Sequence, residues 1–215
     1  MSRYLIARAP LLGVFSFAFI FGCQSSVAPP ETRASAKGTM MSSITIPIDV
    51  QRLAILYPQT SNTELRDAYV KLEGATFQLK DQRPTLKIVE RFNLPMLLSE
   101  QRLQWGGTVS EETAIRLGRL LGVDSVLIYR IEGPTLRDRL LARQHGDLPP
   151  VIVMSKIIRV ESAEVVFLNV VTARIEEQPE WKWAIAEPTD FQRFNRAALD
   201  RGIAQTVQDL RRAFQ

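Results

Sequence analysis

Hydrophobic positions along most of the chain follow two periods, one typical of strands and one typical of helices. Near-continuous apolar runs predict buried strands at 53–57, 85–90 and 124–133, because a strand buried on both faces carries apolar residues at almost every position. Two further apolar segments, 151–160 and 165–175, flank a short polar turn. This arrangement predicts an antiparallel hairpin.

Helical periodicity fills the segments between these strands. Leu65, Tyr69 and Leu72 recur on one side of an amphipathic helix. Either Asn62 or Thr63 is placed to cap its first turn. The first two strands are therefore predicted to be joined by a helix.

Three more helices are predicted after the second strand. One begins at the cap Asn93 and ends before a pair of glycines. The next begins near Ser110 and ends at Gly122, a residue type that commonly terminates helices. The last spans 191–214 and closes on two arginines, which complement the negative end of a helix dipole.

The order of these elements predicts an α/β domain, a three-layer-like sandwich built around a mixed sheet. Helical crossovers between the first three strands should be right-handed. Ile44, Ile46 and Ile48 alternate with polar residues and predict an additional edge strand. An edge is the place in a sheet that tolerates Pro47.

The first 22 residues have the pattern of an export signal. Arg3 and Arg8 precede the apolar segment 9–21. This segment is shorter than the roughly 20 residues that a membrane-spanning helix requires. Residues 1–22 are therefore predicted to be a signal peptide, and a short uncleaved anchor is the alternative.

Cys23, the one cysteine of the chain, follows this signal directly. Residues 20–23 resemble the lipobox of bacterial lipoproteins, apart from Phe21, where a small residue is usual. In that motif the cysteine sulfur receives diacylglycerol, and acyl chains such as palmitate anchor the protein. The alternative is a cysteine without function, since an exported lone thiol has no disulfide partner in the chain.

Gln24 follows the cysteine in place of the aspartate that retains similar lipoproteins in the inner membrane. The predicted location is therefore the periplasmic face of the bacterial outer membrane, with the lipid on Cys23 as the anchor. Residues 24–43 are rich in Ser, Ala, Pro and Thr and predict a flexible tether. The predicted organisation is 1–22 signal peptide, 23–43 lipidated cysteine and tether, and 44–215 one domain.

The net charge of the chain is small and gives no indication of a polyanionic partner. The chain has 27 basic and 23 acidic residues, for a net charge of +4. Two of the basic residues belong to the leader, so the remainder carries +2. We therefore expect no nucleic-acid partner.

Catalytic motifs are missing from the sequence. It contains no glycine-rich nucleotide loop, no zinc-protease motif, no nucleophile elbow and no S-x-x-K pattern. His145 is the one histidine, and a zinc site needs three or four ligands. We expect the protein not to be an enzyme, and to bind no cofactor, metal or small-molecule substrate.

Three segments of the chain resemble the CsgG family of exported lipoproteins. In 151–170 two strands flank a turn, as in the hairpin of that family. In 89–107 a strand ends in Glu-Arg and a Leu-x-x-Leu-Leu-x-Glu helix follows. In 111–133 a helix closes on Leu-Gly-Val-Asp before a buried strand, with Val123 in place of the commoner alanine. The positions that match the family motif are Glu90, Arg91, Leu97, Glu100, Gly122 and Asp124. The resemblance spans 52–175 and implies a CsgG-like, anticodon-binding-domain-like fold in which these residues are structural.

The resemblance implies a protein that works through protein–protein interaction in envelope assembly or secretion, either as a homo-oligomer or bound to an envelope enzyme. One alternative is a lipoprotein activator of a penicillin-binding protein, which regulates peptidoglycan synthesis. The second is a pore-forming subunit of a curli-type secretion channel. Segments 134–150 and 176–190 are too irregular or too short for the membrane hairpins of such a channel.

Overall fold

The computed structural model describes residues 40–41, 45–89, 109–135, 137–138, 140–141, 148–174 and 188–215. All of these ranges belong to one compact unit, residues 36–215. Within them, none of the helices combines the length and hydrophobicity needed to cross a bilayer.

Strands and helices alternate along this unit. In chain order the elements are β1 (Met40–Met41), β2 (Arg52–Leu56), α1 (Thr63–Phe77) with a 3-10 turn (Gln78–Asp81), β3 (Lys87–Val89), α2 (Glu111–Leu121), β4 (Ser125–Glu132), β5 (Val151–Arg159), β6 (Val165–Ala173) and α3 (Pro188–Ala213).

The strands form one mixed sheet in the order β1-β6-β5-β4-β2-β3. β2 runs parallel to both β3 and β4. β4, β5, β6 and β1 pair antiparallel in succession, so the predicted hairpin is β5–β6. The predicted α/β class with a mixed sheet is therefore confirmed.

Helices cover both faces of the sheet, which gives three layers. Alternate residues of β4 point in opposite directions: Leu127 and Tyr129 enter the core beneath α1 and α3, whereas Val126 and Ile128 enter the core beneath α2. The core beneath α1 and α3 is the larger of the two. The three-layer prediction is confirmed by this division.

Local sequence signals set the helix ends. The Asn62 side chain caps α1 by accepting hydrogen bonds from the N–H groups of Glu64 (2.9 Å) and Leu65 (3.3 Å). The Ser110 hydroxyl caps α2 by accepting from the Thr113 N–H at 3.2 Å. Both caps therefore lie where the sequence predicted them.

The predicted edge strand at 44–48 is wrong for the part that the structure describes. Residues 45–50 form no strand and contain a turn at Ile48 and Asp49. The Ile46 N–H donates to the carbonyl of Ala213 (2.8 Å), and its side chain is fully buried. This contact with the far end of the chain overrides the alternating pattern. Ile44 lies outside the described residues.

The observed edge strand is β1, which the sequence assigned to the tether. Met40 and Met41 pair antiparallel with Val170 and Asn169 of β6. The ordered sheet therefore begins a few residues before the predicted domain boundary. The helix predicted to begin at Asn93, and also His145, lie outside the described residues.

Candidate functional site

A charged cleft lies at the end of the sheet where β4 begins and β5 and α2 end. Its volume is about 600 Å³. Two arginines, Arg119 and Arg159, and three acids, Asp49, Asp124 and Glu161, supply its charged walls. We call this feature the hairpin-end cleft, because the turn between β5 and β6 forms one of its sides.

Asp124 joins three strands at the floor of the cleft. Its Oδ2 atom accepts hydrogen bonds from the N–H groups of Gln51 (3.0 Å) and Arg52 (2.7 Å) at the start of β2. Its own N–H donates to the Arg52 carbonyl (3.1 Å), and its carbonyl accepts from the Val160 N–H (2.8 Å). These bonds fix the relative positions of β2, β4 and the end of β5.

Gly122 forms the wall between α2 and β4. Its φ of +60° lies in the left-handed region, which a side chain disfavours. Its N–H donates to the Arg119 carbonyl and the Val123 N–H to the Gly118 carbonyl, both at 3.1 Å. This pair of bonds is the Schellman motif that satisfies the last carbonyls of a helix. It turns the chain from α2 directly into Asp124.

Arg159 and Asp49 form an ion pair across the mouth of the cleft. The Arg159 guanidinium donates from Nη1 to one carboxylate oxygen and from Nη2 to the other (3.2 Å). These hydrogen bonds lower the pKa of Asp49 and raise the pKa of Arg159. The pair is half exposed, so water screens it and its contribution to folding is small.

Two polar atoms of the cleft lack a hydrogen-bond partner within the described part of the chain. They are Oδ1 of Asp124 and Nε of Arg159, and both are buried. Their residues carry opposite charges and attract each other. Buried polar atoms normally have a partner, so these two make the cleft a place where an added polar group can bind.

Apolar side chains stand beside the charges. Ile48, next to Asp49, is 82% exposed, and Leu120, next to Arg119, is 50% exposed. Neither residue lines the cleft, and single exposed apolar side chains are normal on a protein surface. Within the described ranges no group of three or more His, Cys, Asp or Glu side chains is placed to hold a metal ion.

Of the site residues predicted from the sequence, the structure describes two. Gly122 and Asp124 lie together in the cleft. Cys23, Glu90, Arg91, Leu97 and Glu100 lie outside the described residues.

Sequence reasoning missed Asp49, Arg119 and Arg159. Arg159 and Asp49 are 110 positions apart in the chain, so no local motif links them. The available signal was topological. Arg159 is the last but one residue of the predicted strand 151–160, and Asp124 begins the predicted strand 124–133. Antiparallel pairing of these two strands places both residues at the same end of the sheet.

The described elements define a three-layer α/β domain with a mixed sheet. No family model and no curated protein matches the chain. Among solved structures, the LpoB C-terminal domain from Salmonella enterica is similar at 13% identity over 58% of this chain and 83% of that chain, with a TM-score of 0.39.

Two other solved structures are similar at comparable levels. The PelC dodecamer from Paraburkholderia phytofirmans has 13% identity over 81% of this chain and 96% of that chain, with a TM-score of 0.39. Lipoprotein GNA1162 from Neisseria meningitidis has 9% identity over 67% of this chain and 97% of that chain, with a TM-score of 0.35.

The assignment to the CsgG family is wrong. No family model supports it, and the similar structures are LpoB, PelC and GNA1162. The motif rested on short helix and strand endings such as Leu121–Asp124. The structure shows why such endings recur: a left-handed glycine and an aspartate that binds strand N–H groups are general solutions for joining a helix to a strand.

Proposed function

We propose that this chain is a lipid-anchored protein of the bacterial cell envelope that acts by binding another protein. The observation that carries the proposal is the order of signals in the sequence: two basic residues, a short apolar segment, Cys23 and a polar segment. Acylation gives the lone thiol a use that no disulfide within the chain can provide. Two or three acyl chains on one cysteine make a firm anchor.

The folded part of the chain supports this proposal. Both cores that the structure describes close between Ile46 and Phe214. A tether can therefore present the domain without a second subunit to complete its core. The proposed location is the periplasmic face of the outer membrane, which Gln24 favours over the inner membrane.

The finer proposal is that the partner is a penicillin-binding protein, which this chain activates. Among the functions that the sequence left open, this one requires only a compact domain with a partner-binding surface. The hairpin-end cleft is the candidate for such a surface, because charged side chains line it and two buried polar atoms there, Asp124 Oδ1 and Arg159 Nε, have no hydrogen-bond partner among the described residues. We further propose that the chain is not itself an enzyme and acts without a cofactor.

Acylation is tested by replacing the sulfur. In cells fed labelled palmitate, the wild-type chain should incorporate label and sediment with outer membranes, and Cys23→Ser should lose both properties. Ser25→Ala is the matched control, because it changes a neighbouring hydroxyl and leaves the sulfur in place. Unlabelled wild-type protein, or unchanged localisation of Cys23→Ser, would contradict the anchor.

Partner binding is tested at the cleft. Arg119→Glu should weaken stimulation of a purified penicillin-binding protein about tenfold or more, since a binding hot spot contributes roughly 2 kcal/mol. Arg116→Glu is the control, because it makes the same charge change on the same helix outside the cleft. Equal stimulation by both variants would contradict the claim that the cleft binds the partner. If the wild-type chain gives no stimulation, a penicillin-binding protein is not the partner.

A further inference from the structure

The turn that precedes β2 reaches the mouth of the hairpin-end cleft. Ile46 and Val50, at the two ends of this turn, are 0% and 1% exposed. Between them, Ile48 is 82% exposed, and Asp49, which lines the cleft, is exposed as well. Buried side chains therefore fix both ends of the turn, while its tip lies at the surface.

The ends and the tip of this turn are held by different contacts. Arg83 donates to the carbonyls of Ile46 (3.0 Å) and Pro47 (2.9 Å), which fastens the first end. At the tip, the Asp49 carboxylate is held by the guanidinium of Arg159 on β5. The side chains of this ion pair are 58% and 28% exposed. Because ion pairs in contact with water are weak, the carboxylate can leave Arg159 while the ends of the turn stay in place.

Arg159 is placed to bind another carboxylate when Asp49 leaves. Its backbone N–H donates to the carbonyl of Glu164 (2.8 Å) across the hairpin turn, so its position does not depend on Asp49. The attraction of Asp124 also holds its guanidinium at the cleft. A guanidinium has five N–H donors in a planar fork that matches a carboxylate. The mouth of the cleft therefore contains a carboxylate site that the chain itself fills.

Arg119 supplies a second cation to the same cleft. Its side chain is exposed, and within the described part of the chain it makes no hydrogen bond or ion pair. Of the acids that remain in the cleft, Asp124 uses one carboxylate oxygen for the N–H groups at the start of β2. Glu161 is exposed, so water and salt screen its charge. Two guanidinium groups, on Arg119 and Arg159, are thus available to one incoming carboxylate.

We propose that the hairpin-end cleft binds an acidic side chain of a partner protein, and that Asp49 is a built-in competitor that occupies Arg159 until this side chain replaces it. The exchange leaves Arg159 paired before and after binding, so no guanidinium loses its counter-ion. This inference deepens the proposed function and rests on it in one respect, namely that the ligand belongs to a protein.

The test measures binding of an acidic peptide directly. The full chain is purified in non-ionic detergent and mixed with fluorescently labelled hexaglutamate or hexaglutamine, and fluorescence anisotropy is recorded. We expect hexaglutamate to bind, more weakly as salt is added, and hexaglutamine not to bind. The assay contains no penicillin-binding protein and does not depend on acylation, so its failure is distinguishable from failure of the proposed function.

Removal of the competitor tests the role of Asp49. Asp49→Asn should raise the affinity for hexaglutamate about two- to fivefold, a modest gain because an exposed ion pair is weak. Asp67→Asn is the matched control, since it makes the same charge change at an exposed position of α1, on the other face of the sheet. Cooperative urea unfolding of each variant verifies folding.

A second background tests whether the gain acts through Arg159. In Arg159→Gln, the further change Asp49→Asn should give no gain in affinity, because the shared guanidinium is absent. Three results would overturn the proposal. One is no binding of hexaglutamate to the wild type or to Asp49→Asn. The second is an equal gain in Asp67→Asn, which would show that net charge alone drives binding. The third is a gain that persists in Arg159→Gln.

Discussion

The two faces of the central sheet differ in how they are built. On the face beneath α1 and α3, the core includes all of the buried aromatic residues that the structure describes, among them Tyr129, Phe167 and Phe214. On the face beneath α2, the described core is entirely aliphatic. Among the described elements, α1 and α3 lie on the first core, and α2, a helix of 11 residues, lies on the second.

The part of the domain that should contribute most to stability is therefore distinct from the part that contains the cleft. Large rings bury the most apolar area and dominate folding energetics, so the α1/α3 face should contribute most of the stability. The hairpin-end cleft lies at the end of α2, beside the core for which fewer residues are described. Sequence changes near the cleft should therefore disturb the aromatic-rich core little.

The largest expected effect compares one leucine on each face. Leu72 of α1 and Leu117 of α2 are both almost completely buried. Leu72→Ala should destabilise by about 4 kcal/mol and Leu117→Ala by about 2.5 kcal/mol, because the aliphatic core that includes Leu117 should relax into the cavity more readily than the aromatic-rich core that includes Leu72. Urea unfolding measures both. Equal losses would show that the two cores are equally rigid.

A smaller effect is expected where α2 approaches the sheet. A Cβ on Gly118 would lie 2.4 Å from Val160 Cγ2 and 2.8 Å from Val126 Cγ2. Gly118→Ala should therefore destabilise by about 1–3 kcal/mol. Gly74→Ala on α1 is the control, because nothing lies within 4 Å of its Cβ position. It should stabilise by about 0.5–1 kcal/mol through helix propensity. Stabilisation by both changes would contradict the close approach.

A hydroxyl inside the larger core should add a dependence on pH. The Tyr129 hydroxyl is buried and lies 2.7 Å from the Thr76 hydroxyl. Tyr129→Phe should cost about 1 kcal/mol at neutral pH. Burial also raises the pKa of Tyr129 well above its usual value.

The sign of that dependence follows from the raised pKa. The phenol is protonated in both states below about pH 10, so its contribution is intact there. Above this pH the unfolded chain loses the proton first, and stability falls. The free energy of unfolding of Tyr129→Phe should therefore decrease less steeply with rising pH than that of the wild type. Part of the decrease should remain in this variant, because burial also raises the pKa of Tyr69. If the free energy of unfolding of both proteins decreases equally with pH, a group other than Tyr129 is responsible for the decrease.

The smallest expected effect is at the cleft mouth. Arg159 lowers the pKa of Asp49, so this pair stabilises above the usual carboxyl pKa, and the contribution is lost as the pH falls through the lowered value. Carboxyl NMR titration should show that Arg159→Gln returns the Asp49 pKa toward its ordinary range. Asp138 is the internal control, because Thr135 lowers its pKa. A shift at Asp138, or none at Asp49, would contradict the assignment.

Local signals in the sequence predicted the layers and helix ends. Asn62, Ser110 and Gly122 form helix caps with backbone groups only a few positions away, so their roles can be predicted from the local sequence. Contacts between distant residues could not be read in this way. Ile46 follows a strand pattern, yet its N–H binds Ala213, and Arg83 donates to the carbonyls of Ile46 (3.0 Å) and Pro47 (2.9 Å).

The same limit applies to the candidate site. Asp124 was identified because its motif is continuous in sequence, although the family it suggested was wrong. Its neighbours Asp49 and Arg159 come from other segments that meet only when β2, β4 and β5 align.

The pairing of β1 with β6 gives the described sheet one of its two margins. β3 occupies the opposite margin, five strand spacings or about 24 Å away. The two margins differ in strand direction, because β1 pairs antiparallel with β6 whereas β3 pairs parallel with β2. A strand added at one margin would therefore meet a different hydrogen-bonding pattern from a strand added at the other.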